Sequence, residues 1–315
     1  MQQKKFRFGL WHGMTSSKSD WLDDARKVED LGYDILLVGE HVFMGMAPQL
    51  ALLAAADVTK TLRVGSYLFG NDLHHPLMLA KEAATLDALA DGRFEFGIGT
   101  GWYSGDYASS GIPFDPPLTR INRLEEAVQI YKKYFNGEKF EFNGKYYQVK
   151  EDNPLPKTVQ KPLPITMGGG GKRMLSLAAR IADVVGYNPR STREGWLDMT
   201  TVTREATQQK VDWIRQAAGE RLDQIRLSMY FVALNIVDSQ AEAEQVAAQG
   251  RKDWGISDDE LSLHQYLDSP HVLVGSESYL VEKIIEQRET YGISDLVIWG
   301  AIDDGARLIR RLKGM

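Results

Sequence analysis

Apolar and polar positions along the chain alternate between two periods. FRFGLW (6–11) has the look of a short strand. In SDWLDDARKVEDLGY, which follows, Trp21, Leu22, Ala25, Val28 and Leu31 recur at the spacing of one helical face. The pair then repeats as strand DILLVGE with helix PQLALLAAADVTK, and as strand LRVGSYLF with helix PLMLAKEAATLDALADG, opened by Pro76 and closed by Gly92. Strand RFEFGIG and helix TRINRLEEAVQIYKKYFNG make the fourth unit. Over 137–161 the pattern lapses into a hairpin and a proline-rich connection. It resumes with LPITMGG, GKRMLSLAARIA and DVVGYN, a long helix near 199–219, IRLSMYFVALNIV and SQAEAEQVAAQ. A second irregular stretch covers 250–275, and SESYLVEKIIEQRETYG, SDLVIW and DDGARLIRRLK complete the series.

Eight nearly all-apolar strands alternating with helices predict an α/β fold, a (β/α)8 TIM barrel. We expect a single domain over 1–315, with insertions after strand and helix four (137–161) and after helix seven (250–275). An open doubly wound sheet is the structural alternative. In a barrel the chemistry collects where strands end. The segments of interest are therefore those that follow strands: Trp11-His12, Glu40-His41, Gly70-Asn71-Asp72, Thr100-Gly101-Trp102, Gly168 to Arg173, Tyr187-Asn188, Asn235 and Trp299.

Composition narrows the partners. A net charge of -6, with both signs scattered, argues against nucleic acid. The absence of cysteine excludes disulfides, a thiolate metal site and a cysteine nucleophile, and fits a reducing, cytoplasmic compartment. The opening MQQKKFRFGLW has no apolar core of a signal peptide, and no apolar run approaches the ~18 residues of a membrane span. The histidines form neither HExxH nor H-x-H with a carboxylate set, so no metal is expected.

Four consecutive glycines, Gly168 to Gly171, precede Lys172, Arg173 and a helical pattern. P-loop spacing is missing, because Thr166 stands six residues before Lys172 and Arg173 follows it. What remains is a strand, a glycine turn and a helix N-terminus, an arrangement that binds phosphate through free N–H groups and the helix-end charge. The plain alternative is a tight turn, for which one glycine suffices. A Cβ at Gly170 is expected to block either the turn or the phosphate. Glu40-His41 follows strand two, and histidine there is a candidate acid/base. His12 and His75 are rivals in neighbouring loops, and His74-His75-Pro76 sits at a helix start. Trp102 and Tyr103 are placed to stack on a flat ring.

These residues sit in longer recognisable blocks: GEHV, RVGSYLFGNDLHHPLMLAKEAATLDALADGRFEFGIGTGWYSGDY, GIPFDPPLTRINRLEEAVQIYKKYF, GKYYQV, PLPITMGGGGKRMLSLAARIADVV and SDLVIW. In this order the chain resembles the luciferase-like monooxygenase superfamily, and within it the oxidoreductases that use the deazaflavin coenzyme F420. The resemblance implies a homodimeric barrel with a flavin-type cofactor across the strand ends. It implies an acid/base role for His41 beside Glu40, and a cis peptide at Ser66-Tyr67 under the cofactor ring. Gly101 and Trp102 would border the ring, and Gly168, Gly169, Gly170 and Gly171 with Lys172 and Arg173 would hold the phosphate. Trp11, His12, His75 and Trp299 would line the substrate pocket. The superfamily's sugar-phosphate dehydrogenases carry acids where Trp11 and Trp102 stand here, which points to a less polar substrate. The function expected is hydride transfer between coenzyme F420 and a small organic molecule. The alternatives are a monooxygenase using reduced FMN and, further off, a non-catalytic flavin-binding protein.

Overall fold

The computed structural model describes residues 4–13, 17–192 and 194–315. Most of the N-terminal MQQK and the centre of the loop after His12 lie outside the described residues. Eight parallel strands, β1 (Arg7–His12), β2 (Ile35–Val38), β3 (Arg63–Ser66), β4 (Phe94–Gly99), β5 (Ile165–Gly169), β6 (Val184–Tyr187), β7 (Arg226–Phe231) and β8 (Asp295–Trp299), pair in the order β3-β2-β1-β8-β7-β6-β5-β4. Val64 also pairs with Phe94 and Gly65 with Glu95, which joins β3 to β4 and closes the barrel. The fold is the (β/α)8 barrel, and closure excludes the open sheet.

The helices are α1 (Lys18–Asp30), α2 (Pro48–Val58), α3 (Pro76–Leu89), α4 (Ser104–Ser110), α5 (Pro117–Asn136), α6 (Lys172–Ile181), α7 (Arg204–Ala218), α8 (Gln240–Asp253), α9 (Leu263–Asp268), α10 (Glu277–Tyr291) and α11 (Ile302–Leu312). Local chemistry sets their starts. Ser17 caps α1 by accepting from the Asp20 amide, and α3 opens with a proline whose missing N–H would have had no helical partner. The helix expected over 199–219 is interrupted. Met199–Val202 is a 3-10 turn, and Thr203 begins α7 by accepting from the Ala206 amide.

Strand alternation divides the core in two. Phe8 and Leu10 of β1 and Leu296 and Ile298 of β8 face the helices and are buried. Each contributes about 1.5–3 kcal/mol relative to exposure. The other faces fill the barrel, where Ile35, Leu37, Tyr67 and Val297 pack with Trp11, Leu68 and Tyr230. At the amino ends of the strands the lumen is charged instead. Glu95 accepts from Arg7 and from Arg63 (2.5 Å), and Asp295 accepts from Arg7 (3.3 Å) and Arg226 (2.6 Å). Burial pushes the Glu95 carboxyl up, but the two guanidiniums outweigh it and hold it below its ordinary value.

The apolar run IRLSMYFVALNIV splits between two sheets. Only Arg226–Phe231 belongs to the barrel. The Val232 amide donates to the His271 carbonyl, and Ala233–Ile236 pairs with Val272–Gly275 in a small annex that carries α8 and α9. Part of the 250–275 segment is therefore regular, with α8 reaching Asp253. In the 137–161 segment, Phe140–Asn143 and Gln148–Glu151 form an antiparallel hairpin. Among the described residues no helix is long and apolar enough to cross a membrane.

Candidate active site

The carboxyl ends of the strands open on a cavity of about 880 Å³. Its wall draws on Trp11 from β1, Glu40 and His41 after β2, Tyr67 to Gly70 after β3, and Gly101 and Trp102 after β4. The end of β5 and the start of α6, from Gly168 to Met174, and Asn188 to Thr192 after β6 complete it.

His41 is held on three sides. Its Nδ1 lies 2.7 Å from Asp106 Oδ2, and the other oxygen of that carboxylate takes the Val42 amide at 2.8 Å. Phe43 lies parallel to the imidazole at 5.1 Å, while Trp102 and Tyr103 meet it edge-on at 5.3 and 5.7 Å. With Nδ1 donating to the acid, Nε2 has no hydrogen-bond partner among the described residues. That nitrogen accepts a proton when the ring is neutral and donates one when it is charged.

Glu40 does not orient His41. Consecutive side chains diverge here, and the Glu40 carboxylate turns to the Gly70 amide (2.8 Å) and to His74 Nε2 (2.8 and 3.0 Å). Burial lowers the His74 pKa, but the bond to Glu40 and its charge outweigh burial and raise it. The orienting acid is Asp106, in the first turn of α4. Sequence reasoning missed it because α4 is short. Its signal was the stop at Gly111, where φ is +70°.

The four glycines divide by what a side chain would meet. A Cβ on Gly168 would lie 2.9 Å from the Gly186 carbonyl, and one on Gly169 would lie 2.8 Å from the Met174 side chain. At Gly170 it would strike the Arg190 backbone and come within 2.7 Å of the Pro189 oxygen. Only Gly171 opens on free space, and it precedes α6, whose N-terminus has no side-chain cap. The free amides of that turn, with Lys172 and Arg173 beside them, suit an anion. Gly170 therefore serves the packing of two loops rather than the approach of a ligand.

Several expected contacts are displaced. Ser66 lies beneath the cavity, where its hydroxyl donates to the Gly97 carbonyl (2.8 Å) and accepts from the Gly97 amide (2.9 Å). The cis peptide is Tyr67-Leu68, one bond after the expected Ser66-Tyr67. The Tyr67 amide still donates to the Val38 carbonyl at 2.7 Å, so strand pairing runs through Tyr67 and the chain departs after it. Tyr67 remains in the wall, donating to Asn188 Oδ1 at 2.9 Å with its ring against Tyr230. His12 turns to Asp24 (3.1 Å) and the edge of Trp21, and His75 caps α3 by accepting from the Leu77 amide. Neither lines the cavity. Trp11 does, with its indole N–H on the Tyr67 carbonyl, and Trp299 stands behind it at 6.2 Å. Arg120, also missed, is buried and donates to the carbonyls of Gly101 and Asp115 with its guanidinium over Phe114, fixing the loop after β4.

The closed barrel with its strand-end cavity places the chain in the (β/α)8 barrel class. Residues 5–292 match the luciferase-like monooxygenase family, and the chain belongs to it. The F420-dependent glucose-6-phosphate dehydrogenase of Microbacterium testaceum is 30% identical over 184 residues, covering 56% of this chain and 54% of that one. The FMNH2-dependent dimethylsulfone monooxygenase of Pseudomonas putida is 28% identical over 202 residues, covering 63% and 50%. The chain thus spans about half the length of the curated relatives it matches. The coenzyme F420-dependent tetrahydromethanopterin reductase of Methanopyrus kandleri superposes with a TM-score of 0.76 at 20% identity, over 98% of this chain and 99% of that one, a likeness of fold.

Proposed function

We propose that the protein transfers hydride between coenzyme F420 and a small, weakly polar organic substrate, with His41 moving the accompanying proton. The observation that carries this reading is one cavity wall holding both the open N-terminus of α6 and the free Nε2 of His41. When bound, the coenzyme supplies a two-electron hydride carrier and an acidic tail. Gly171, Lys172 and Arg173 suit that tail, Trp102 and Tyr67 border the space for the ring, and Asp106 keeps Nδ1 protonated so that Nε2 faces the proton in transit. Trp11 and Trp102 make the substrate end aromatic, which favours a molecule less polar than a sugar phosphate. We extend the proposal to a homodimer in the cytoplasm. Leu50 on α2 and Met78 and Leu89 on α3 are exposed apolar side chains suited to a two-fold partner, and a dimer mass by light scattering at micromolar concentration is the expected result.

Fluorescence-quenching titrations with coenzyme F420 and with FMN test the assignment. F420 should bind more tightly. FMN binding tighter by tenfold, about 1.4 kcal/mol, transfers the function to a monooxygenase using reduced FMN. Tight binding without turnover on any substrate panel leaves a flavin-binding protein.

A further inference from the structure

Charge is distributed unevenly around the cavity. Lys172, Arg173 and Arg190 gather by the N-terminus of α6. Around His41 the carboxylates are already engaged, Asp106 by His41 and the Val42 amide, Glu40 by His74 and the Gly70 amide. A row of rings leads outward from the same histidine. Phe43 lies parallel to the imidazole, Tyr103 meets Phe43 edge-on at 5.5 Å, and Trp196 meets Tyr103 edge-on at 6.2 Å. Phe43 is 69% exposed and Trp196 65%. Large rings left in water as a connected row beside a reactive group mark a binding surface.

The turn that carries Trp196 is fastened to this row. Ser104 Oγ donates to the Glu194 carbonyl at 2.7 Å, and the Trp196 carbonyl accepts from the Thr192 amide at 2.7 Å. Gly195 has φ +87°, and a Cβ there would lie 2.6 Å from the Ser104 nitrogen and 2.9 Å from the Trp102 oxygen. Only glycine lets the turn rest on the backbone of 102–104. A loop that merely passed by would not need that fit.

We propose that Phe43, Tyr103 and Trp196 form the substrate's seat and take the flat ring of an uncharged aromatic ketone or its alcohol, with the oxygen-bearing carbon beside His41 Nε2. This inference rests on the hydride-transfer reading of the same site. In the reducing direction the carbonyl carbon receives a hydride from the reduced deazaflavin, the C=O π bond opens, and the oxygen takes the Nε2 proton to become a hydroxyl. The two electrons leave the deazaflavin with the hydride. Phe43 and Trp196 set specificity, whereas His41 handles the proton.

Equilibrium dialysis of the full chain with 2-acetylnaphthalene and with its saturated counterpart 2-acetyldecalin, which has the same carbon skeleton, tests the seat. The naphthyl ketone should bind more tightly. Phe43→Ala and Trp196→Ala should each weaken it by about three- to tenfold, with Trp196→Phe restoring most of the loss. The saturated ketone should lose less than the naphthyl ketone, and the F420 affinity and the melting temperature should not change. Equal binding of the two ketones, or variants that bind the naphthyl ketone like the parent, overturns the seat. A dimer that falls to monomer in either variant also overturns it, since the rings would then be a subunit contact. Loss of the F420 reading is seen separately, as failure of the coenzyme titration with ketone discrimination intact.

Discussion

The two ends of the barrel are built on opposite rules. At the amino ends of the strands, Arg7, Arg63 and Arg226 meet Glu95 and Asp295 inside the lumen, so each charge there has a counter-charge. At the carboxyl ends, groups are left with capacity to spare: one nitrogen of His41, the amides at Gly171, and the exposed faces of Phe43 and Trp196. Satisfied polar groups fix a structure, and unsatisfied ones can only be completed by something that arrives. Stability and chemistry are thus separated along the barrel axis, within one set of strands.

The sharpest test exchanges damage between the ends. His41→Ala should lose about 10²–10⁴ in the rate of hydride transfer by stopped flow. Its F420 affinity and melting temperature should stay close to the parent's. Glu95→Ala should do the reverse. It leaves the partly buried Arg7 and Arg63 short of a counter-charge and should lower unfolding free energy by about 1–3 kcal/mol in denaturant titration, with little change in coenzyme affinity of the folded fraction. A His12→Ala variant that loses turnover while His41→Ala retains it would break the comparison, because the proton would then belong to the loop after β1.

A smaller effect asks whether the division is by end or by burial. His271 lies in the annex, with Nδ1 on the Tyr230 carbonyl at 2.8 Å. Burial, and secondarily the nearby Lys210 charge, push its pKa down to about 3. The folded protein therefore keeps this ring neutral while the unfolded chain protonates it near 6.5. Its share of stability is complete above pH 6.5 and drains away as pH falls toward 3, by about 2 kcal/mol at pH 5. The Glu95 share, with its lowered pKa, is present above the carboxyl's ordinary value and drains only at lower pH. Melting temperatures measured from pH 7 to 5 should fall in the parent and stay flatter in His271→Gln.

The smallest effect separates neighbours. Gly171→Ala should weaken F420 by about tenfold, 1.4 kcal/mol, with an unchanged melting temperature. Gly170→Ala should lower the melting temperature first, because its Cβ meets the Pro189-Arg190 backbone. Equal thermal losses in both would assign the whole run to packing.

The barrel was legible in the sequence because buried parallel strands and one-sided helices carry different periods, and His41 and the glycine run were legible because strand ends are where the periods change. What stayed hidden depended on partners across space. Nothing in HVFMG points to Asp106, which approaches from a seven-residue helix after another strand. Four identical glycines cannot announce which one faces open space, since the answer lies in Met174, Gly186 and Arg190. His12 and His75 lie near strand ends yet turn away, each drawn to a local partner. The annex was hidden because Val232 continues the apolar run of β7 while its amide bonds to a different sheet.

The segment from Pro189 to Trp196 joins the cavity wall, which it lines as far as Thr192, to the ring row beyond it. It begins against Gly170, where the anion site is framed, and it ends on the ring row beside His41. An insertion or deletion between those points would move the coenzyme grip and the substrate seat together. The length of this stretch is therefore held by the backbone fit at Gly170 and Gly195, whereas the side chain at Trp196 can be exchanged without resizing the turn.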